Sequence, residues 1–189
     1  MTKHLSEMTL EELWEIFPIF LTAYQPCWED WYNEESRILH KILPMDDVVR
    51  ISHIGSTAIK TIWAKPIVDI MVETIPGSNW NVIKDILIKA GYLLMSEDGN
   101  RISFNKGYTE NGFAEKVYHL HLRRTGDNDE LYFRDYLIDH PQTAKAYEKL
   151  KLGLWKKFEH NRDAYTESKT DFIKEYTREA KKLFGKRYL

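Results

Sequence analysis

The chain has 189 residues, 43% hydrophobic and 30% charged, which is enough apolar side chain for a real core and too much for a disordered chain. Its 27 basic and 29 acidic residues leave a formal net charge of −2, which argues against a whole-molecule electrostatic nucleic-acid binder. The single cysteine, Cys27, excludes an internal disulfide and a thiolate zinc cluster; no apolar run nears the roughly 18 residues of a membrane span, so a cytoplasmic protein without membrane attachment is expected.

Thr9 and Glu12 have capping-box spacing, and Leu10, Leu13, Trp14 and Phe17, then Ile19 to Tyr24, read as an amphipathic helix ended or kinked at Pro18. A second helix is predicted over 27–43, with Trp28, Trp31, Tyr32, Ile38, Leu39 and Ile42 near helical spacing and Pro44 as its stop. Val48, Val49, Ile51 and Ile54 predict a strand over 47–54 that halts at Gly55-Ser56. A short helix over 58–63 and a strand over 66–73 follow. Gly77-Ser78-Asn79 opens a helix to Ala90, and Gly91 ends it. Strands are predicted at 92–95, 101–105 and 116–123, then helices at 129–139, 142–160 and 162–184. The pattern reads as one α+β domain over 1–189: N-terminal helices to 44, a mixed sheet carrying the site over 45–125, and C-terminal helices over 128–185.

The stretch from His53 to Glu73 organises the chemistry. Gly55 can take positive φ and admit a ligand to the backbone, while Ser56 and Thr57 offer hydroxyls and helix-capping oxygens to an anion. In the following strand, the period of two places Asp69, Met71 and Glu73 on one face. A carboxylate on such a buried-looking strand requires a partner. His119 and His121 share one face of a later strand and suit a transition metal, proton transfer or a phosphate, with packed structural histidines as the plain alternative. Lys65, Arg123 and Arg134 are candidate phosphate contacts, although an Arg134 ion pair with Asp135 or Asp139 competes. Tyr165 and Lys169, at i, i+4, could approach the same ligand, but a solvent-facing lysine over an aromatic is the commoner outcome. Residues 141–189 carry 13 basic and 7 acidic side chains, read chiefly as solvated helix faces.

These segments resemble the GrpB-like family, placed in the nucleotidyltransferase superfamily by a Gly-Ser turn followed by an acidic strand. The likeness extends to Tyr24-Gln25-Pro26 and Trp28, to His119-Leu120-His121-Leu122, to Leu131 through Leu137, to His140-Pro141 and to Ala164 through Lys169, in the family's order over about residues 20 to 175. It implies a mixed sheet flanked by helices and transfer of a nucleotidyl group from a nucleoside triphosphate to an unidentified small-molecule acceptor. It also implies a divalent metal, Mg²⁺ or Mn²⁺, held by Asp69 with Glu73, and a catalytic set of Asp69, Glu73, His119 and His121. Gly55, Ser56, Thr57, Lys65, Arg123 and Arg134 would hold phosphate. One departure matters: the superfamily's second metal carboxylate stands two residues after the first, and here that position is Met71. The alternative is therefore a noncatalytic domain that binds a nucleotide, a phosphorylated metabolite or a coenzyme A-related ligand. A third reading makes Asp69, His119 and His121 a hydrolytic metal centre.

Overall fold

The computed structural model describes residues 4–188. Helix α1 (Leu10–Ile16) starts at Thr9, whose hydroxyl accepts from the Glu12 amide while the Glu12 carboxylate accepts from the Thr9 amide. The helix stops earlier than its periodicity predicts. Pro18 disfavours helical backbone at Phe17, and residues 19–24 run extended, with Thr22 bridging Ala64 through two backbone hydrogen bonds of 2.9 Å. Helix α2 (Cys27–Ile42) forms as predicted and buries Trp28, Leu39 and the acidic Glu35. That acid is satisfied by Tyr92 Oη at 2.8 Å and Lys106 Nζ at 2.7 Å.

The sheet comprises β1 (Val48–Ile54), β2 (Val68–Thr74), β3 (Leu93–Glu97), β4 (Arg101–Thr109) and β5 (Gly112–Arg124), in the order β1-β2-β5-β4-β3. Only β2 and β5 pair in parallel, so the sheet is mixed and the architecture α+β. Strand alternation divides its faces. Val68, Ile70 and Val72 of β2 and Tyr118, Leu120 and Leu122 of β5 join one core cluster with α2 and α3 (Trp80–Lys89). Asp69, Met71 and Glu73 pair in register with His119, His121 and Arg123 on the other face. The hairpin of β4 and β5 extends past its predicted ends because Gly107, at φ +89°, makes a bulge in which any Cβ would lie 2.3 Å from the Lys116 carbonyl oxygen.

The predicted helix over 58–63 is a single 3₁₀ turn, Ser56–Ala58. So short a segment cannot nucleate a helix alone, and its Ile59 and Ile62 instead pack against α5 (Pro141–Phe158) through Ala144 and Tyr147. Helix α4 (Asp129–Asp139) precedes α5. The predicted final helix is two helices, α6 (Arg162–Glu167) and α7 (Thr170–Phe184), separated at Ser168-Lys169. No helix among the described residues is long and apolar enough to cross a membrane.

Candidate anion-binding site

Gly55 sits at φ +71°, and a Cβ built there would lie 2.2 Å from Asp69 Oδ2, so only glycine permits both this turn and this approach. The turn places Ser56 Oγ 2.9 Å from Lys151 Nζ, which also donates to the Trp63 carbonyl. Lys65 enters from the loop before β2, and Lys169 from the break between α6 and α7. With Arg162, these residues and Asp69 line a cavity of about 370 Å³. Asp69 shares the cavity with four cationic side chains, and the other carboxylates are Asp163 on its lining and Glu148 acting on Lys151.

The lysines are held out of their ordinary state. Burial, reinforced by Lys169 and Arg162, lowers Lys65 to about 7. Burial, reinforced by Lys169 and Lys65, lowers Lys151 to about 7. Burial, with Arg162 assisting against the pull of Asp69, lowers Lys169 to about 8. Four cationic side chains against fewer carboxylates leave the cluster short of negative charge. Lys65 and Lys169 also lie 5.4 and 4.4 Å from the Tyr165 ring centroid, which gives their cationic forms one electron-rich wall.

Hydrogen bonding fixes the state of the histidines. Arg162 can only donate, so Tyr108 Oη accepts from it at 2.9 Å and gives its own proton to His119 Nε2 at 2.8 Å. The remaining proton of His119, on Nδ1, then points to Asp69 Oδ1 at 3.4 Å. On the other side, Arg123 Nη2 donates to His121 Nδ1 at 3.4 Å, leaving Nε2–H for the same Asp69 oxygen, also at 3.4 Å. Burial outweighs the pull of Asp69 and lowers His119 below its ordinary value. Burial raises Asp69, but the hydrogen bonds from His119 and His121 and their charge outweigh it and hold the carboxyl well below the usual range. Asp69 is thus a fixed anion and a poor base. Both imidazoles meet it at Oδ1, while Oδ2 lies against Gly55, and the two residues also line a larger groove of about 1030 Å³.

Not every predicted residue arrives at this site. Glu73 is fully buried four residues along β2, with Oε2 2.7 Å from Arg50 Nε and Oε1 accepting from the Gly126 amide and Asn128 Nδ2, both at 3.0 Å. These groups enclose its carboxylate, so it serves as a structural ion pair away from Asp69. Thr57 is 2% exposed, and its hydroxyl donates to the Ile67 carbonyl at 3.2 Å while accepting from His53 Nε2 at 2.9 Å. Burial lowers His53 to about 4, so it stays a neutral donor that fixes the turn. Arg123 is 5% exposed and turned onto the Leu122 carbonyl, His121 and Glu130. Arg134 forks onto Asp135 Oδ1 at 2.8 and 2.7 Å and donates to the His53 carbonyl at 2.8 Å. These pairings hold both arginines against protein groups, and Arg134 also lines the larger groove.

The donor set does not match the expected Mg²⁺ centre. Hard cations take oxygen ligands, whereas position 71 is a fully buried methionine packed on Ile54 and Leu131, Glu73 is enclosed elsewhere, and the neighbours of Asp69 are imidazoles. Among the described residues, no three His, Cys, Asp or Glu side chains are arranged to hold a metal ion.

Sequence reading passed over Lys151, Arg162 and Tyr108, and it placed Lys169 in solvent. The signal for Lys151 was present: with Ala144 and Tyr147 it occupies i, i+3, i+7 on the buried face of α5, a cation in an apolar stripe.

The sequence profile of the GrpB protein family matches residues 18–179. The chain is 33% identical over 174 residues to the glutamate-rich protein GrpB of Alkalihalophilus pseudofirmus, covering 85% of this chain and 95% of that protein. A UPF0157 protein of Pseudomonas aeruginosa is 31% identical over 78% of this chain, but the match spans only 62% of that relative's length. The crystal structure of conserved protein GrpB from Enterococcus faecalis superposes with a TM-score of 0.75 at 30% identity, covering 87% of this chain and 99% of that one. Together with the profile match over most of its length, these likenesses show that the chain belongs to the GrpB family.

Proposed function

We propose that the chain binds the phosphate groups of a nucleoside triphosphate or a related phosphorylated metabolite in the lysine cavity, with protein cations in the neutralising role. The observation that carries this reading is the convergence of Lys65, Lys151 and Lys169 on the Gly55-Ser56 turn. Phosphate oxygens supply the missing charge, and Ser56 at the turn supplies a hydroxyl beside Lys151. Arg162 adds a donor already aligned by Tyr108.

A thermal-shift series with pyrophosphate and ATP, each in EDTA or Mg²⁺, tests this reading. A ligand at about 100 times its dissociation constant adds roughly 2.7 kcal/mol, a shift of several degrees for a chain of this size. The expected result is a shift in EDTA that Lys151→Met removes and Asp69→Asn keeps or enlarges, because removing a negative charge favours an anion. No shift with either ligand would overturn the proposal.

Nucleotidyl transfer to a small acceptor is the second reading, favoured by the position of Asp69. Its Oδ2 lies where the lysine cavity and the larger groove meet, the point at which an acceptor would reach a bound phosphate. A shift seen only with Mg²⁺, and lost in Asp69→Asn, would favour that reading over simple binding.

A further inference from the structure

The larger groove has a polarity of its own. Thr170, Ile173, Lys174, Thr177, Arg178 and Lys181 fall at i, i+3, i+4, i+7, i+8 and i+11, one continuous face of α7, and all of them line it. Ile54, Ile59, Phe133 and Ile173 give it apolar walls. Lys174 and Arg178 stand exposed, Arg178 beside Glu179 at 3.8 Å, whereas Lys181 is paired with Asp129 across the groove wall. At roughly 1030 Å³ it falls at the upper end of small-molecule sites.

Two polar groups along its lining have no protein partner. The Thr177 side chain belongs to a residue only 6% exposed, and its hydroxyl makes no hydrogen bond. Glu130 uses Oε1 to hold Arg123 at 3.4 Å, while its buried Oε2 makes none. Such groups are uncommon in folded proteins and call for a partner from outside the chain. Glu130 Oε2 can only accept when ionised, so its missing partner is a donor.

We propose that this groove is a second ligand site, taking an organic anion that combines an apolar body with a hydroxyl or amino group. The apolar body lies against Phe133 and Ile173, the donor group reaches Glu130 and Thr177 once their enclosed oxygens turn toward the groove, and the acidic end faces Lys174 and Arg178. The groove runs into the lysine cavity at Gly55, Ser56, Asp69 and Lys169, so a molecule seated here ends beside whatever the cavity holds. The inference does not depend on the cavity binding phosphate.

Anilinonaphthalenesulfonate suits the test because it carries a sulfonate, an apolar ring system and an N–H, and it fluoresces when removed from water. Expected is saturable binding of one probe per chain, weakened about tenfold in Lys174→Glu/Arg178→Glu by reversal of the rim charge. Thr177→Val, which keeps shape and removes the hydroxyl, is expected to weaken it severalfold while leaving the melting temperature intact. Octanoate should displace the probe where octanol at equal concentration does not, and pyrophosphate should leave it in place. Non-saturating fluorescence, indifference to both variants, equal displacement by octanol, or displacement by pyrophosphate would each overturn the proposal, and the last would reduce the groove to an extension of the lysine cavity.

Discussion

Asp69 and Glu73 stand on the same face of the same strand, two pleat repeats apart, yet they have opposite surroundings. Glu73 lies under the C-terminal segment, where Arg50 neutralises it and Asn128 is held in turn by the Tyr188 carbonyl at 3.0 Å. Asp69 lies beside the Gly55 turn, with two imidazoles on one oxygen and a ring of lysines beyond. In one place the charges are matched inside the protein, and the carboxylate fastens β1, β2 and the loop after β5. In the other, positive charge is left in excess, and the imbalance is available to a ligand. Charge imbalance in a cavity, more than the mere presence of a carboxylate, marks the candidate site.

The comparison can be broken most sharply at Glu73. Glu73→Ala leaves Arg50 without its counter-charge and should destabilise the fold by about 3–5 kcal/mol in urea unfolding. A change below about 1 kcal/mol would remove its structural role. Gly55→Ala forces a Cβ onto Asp69 Oδ2 at a positive φ, and we expect a loss of about 1–3 kcal/mol together with weakened anion binding, measured by denaturation and by calorimetry with pyrophosphate.

Lys151→Met removes a buried cation from an unbalanced cluster. Pyrophosphate binding should fall at least about tenfold while the melting temperature of the free protein rises by about 2–4 °C, the opposed changes expected of a functional site. The pH dependence has a determined sign. Lys65, Lys151 and Lys169 have folded values lowered to about 7, 7 and 8, beneath the ordinary 10.5, so above pH 7 the unfolded chain binds more protons than the folded one. Their contribution therefore makes stability rise with pH between about 7 and 10, and it is least favourable below 7, where they are charged in both states. Denaturation at pH 7, 8 and 9 should show this rise, and calorimetry at pH 8 in buffers of different ionisation enthalpy should show proton uptake as an anion binds. The smallest effect belongs to Asp69→Asn, which keeps an acceptor for both imidazoles and should alter stability by less than about 1 kcal/mol. A loss as large as that of Glu73→Ala would erase the distinction between the two acids.

Local signals carried much of this. Pro44, Gly91, the Thr9 capping box and the alternation of β2 set element ends and faces because they act through the backbone of their own neighbourhood. The same alternation put His119 and His121 on one face, and their pairing beside Asp69 followed once β2 and β5 ran parallel. Signals failed where a distant contact decided the outcome. Residues 58–63 gave up helix to bury Ile59 and Ile62 on α5, and Lys169, expected over Tyr165 but facing solvent, lies over that ring inside a cavity shared with Lys65 and Lys151 from distant segments.

By itself the sequence determined an α+β chain with a Gly-Ser turn before an acidic strand, because tight turns and strand faces depend on residue type and a period of two. It could not determine which charges would be answered. Glu73 and Asp69 read alike in the chain, as do Arg123, Arg134 and Lys65. Only tertiary structure brought Arg50 to one acid, braced the two arginines against carbonyls and carboxylates, and gathered lysines from three segments around the other acid. Electrostatic pairing acts through space over a few ångströms, and apart from local pairs such as Arg134 with Asp135 the deciding partners lie tens of residues apart.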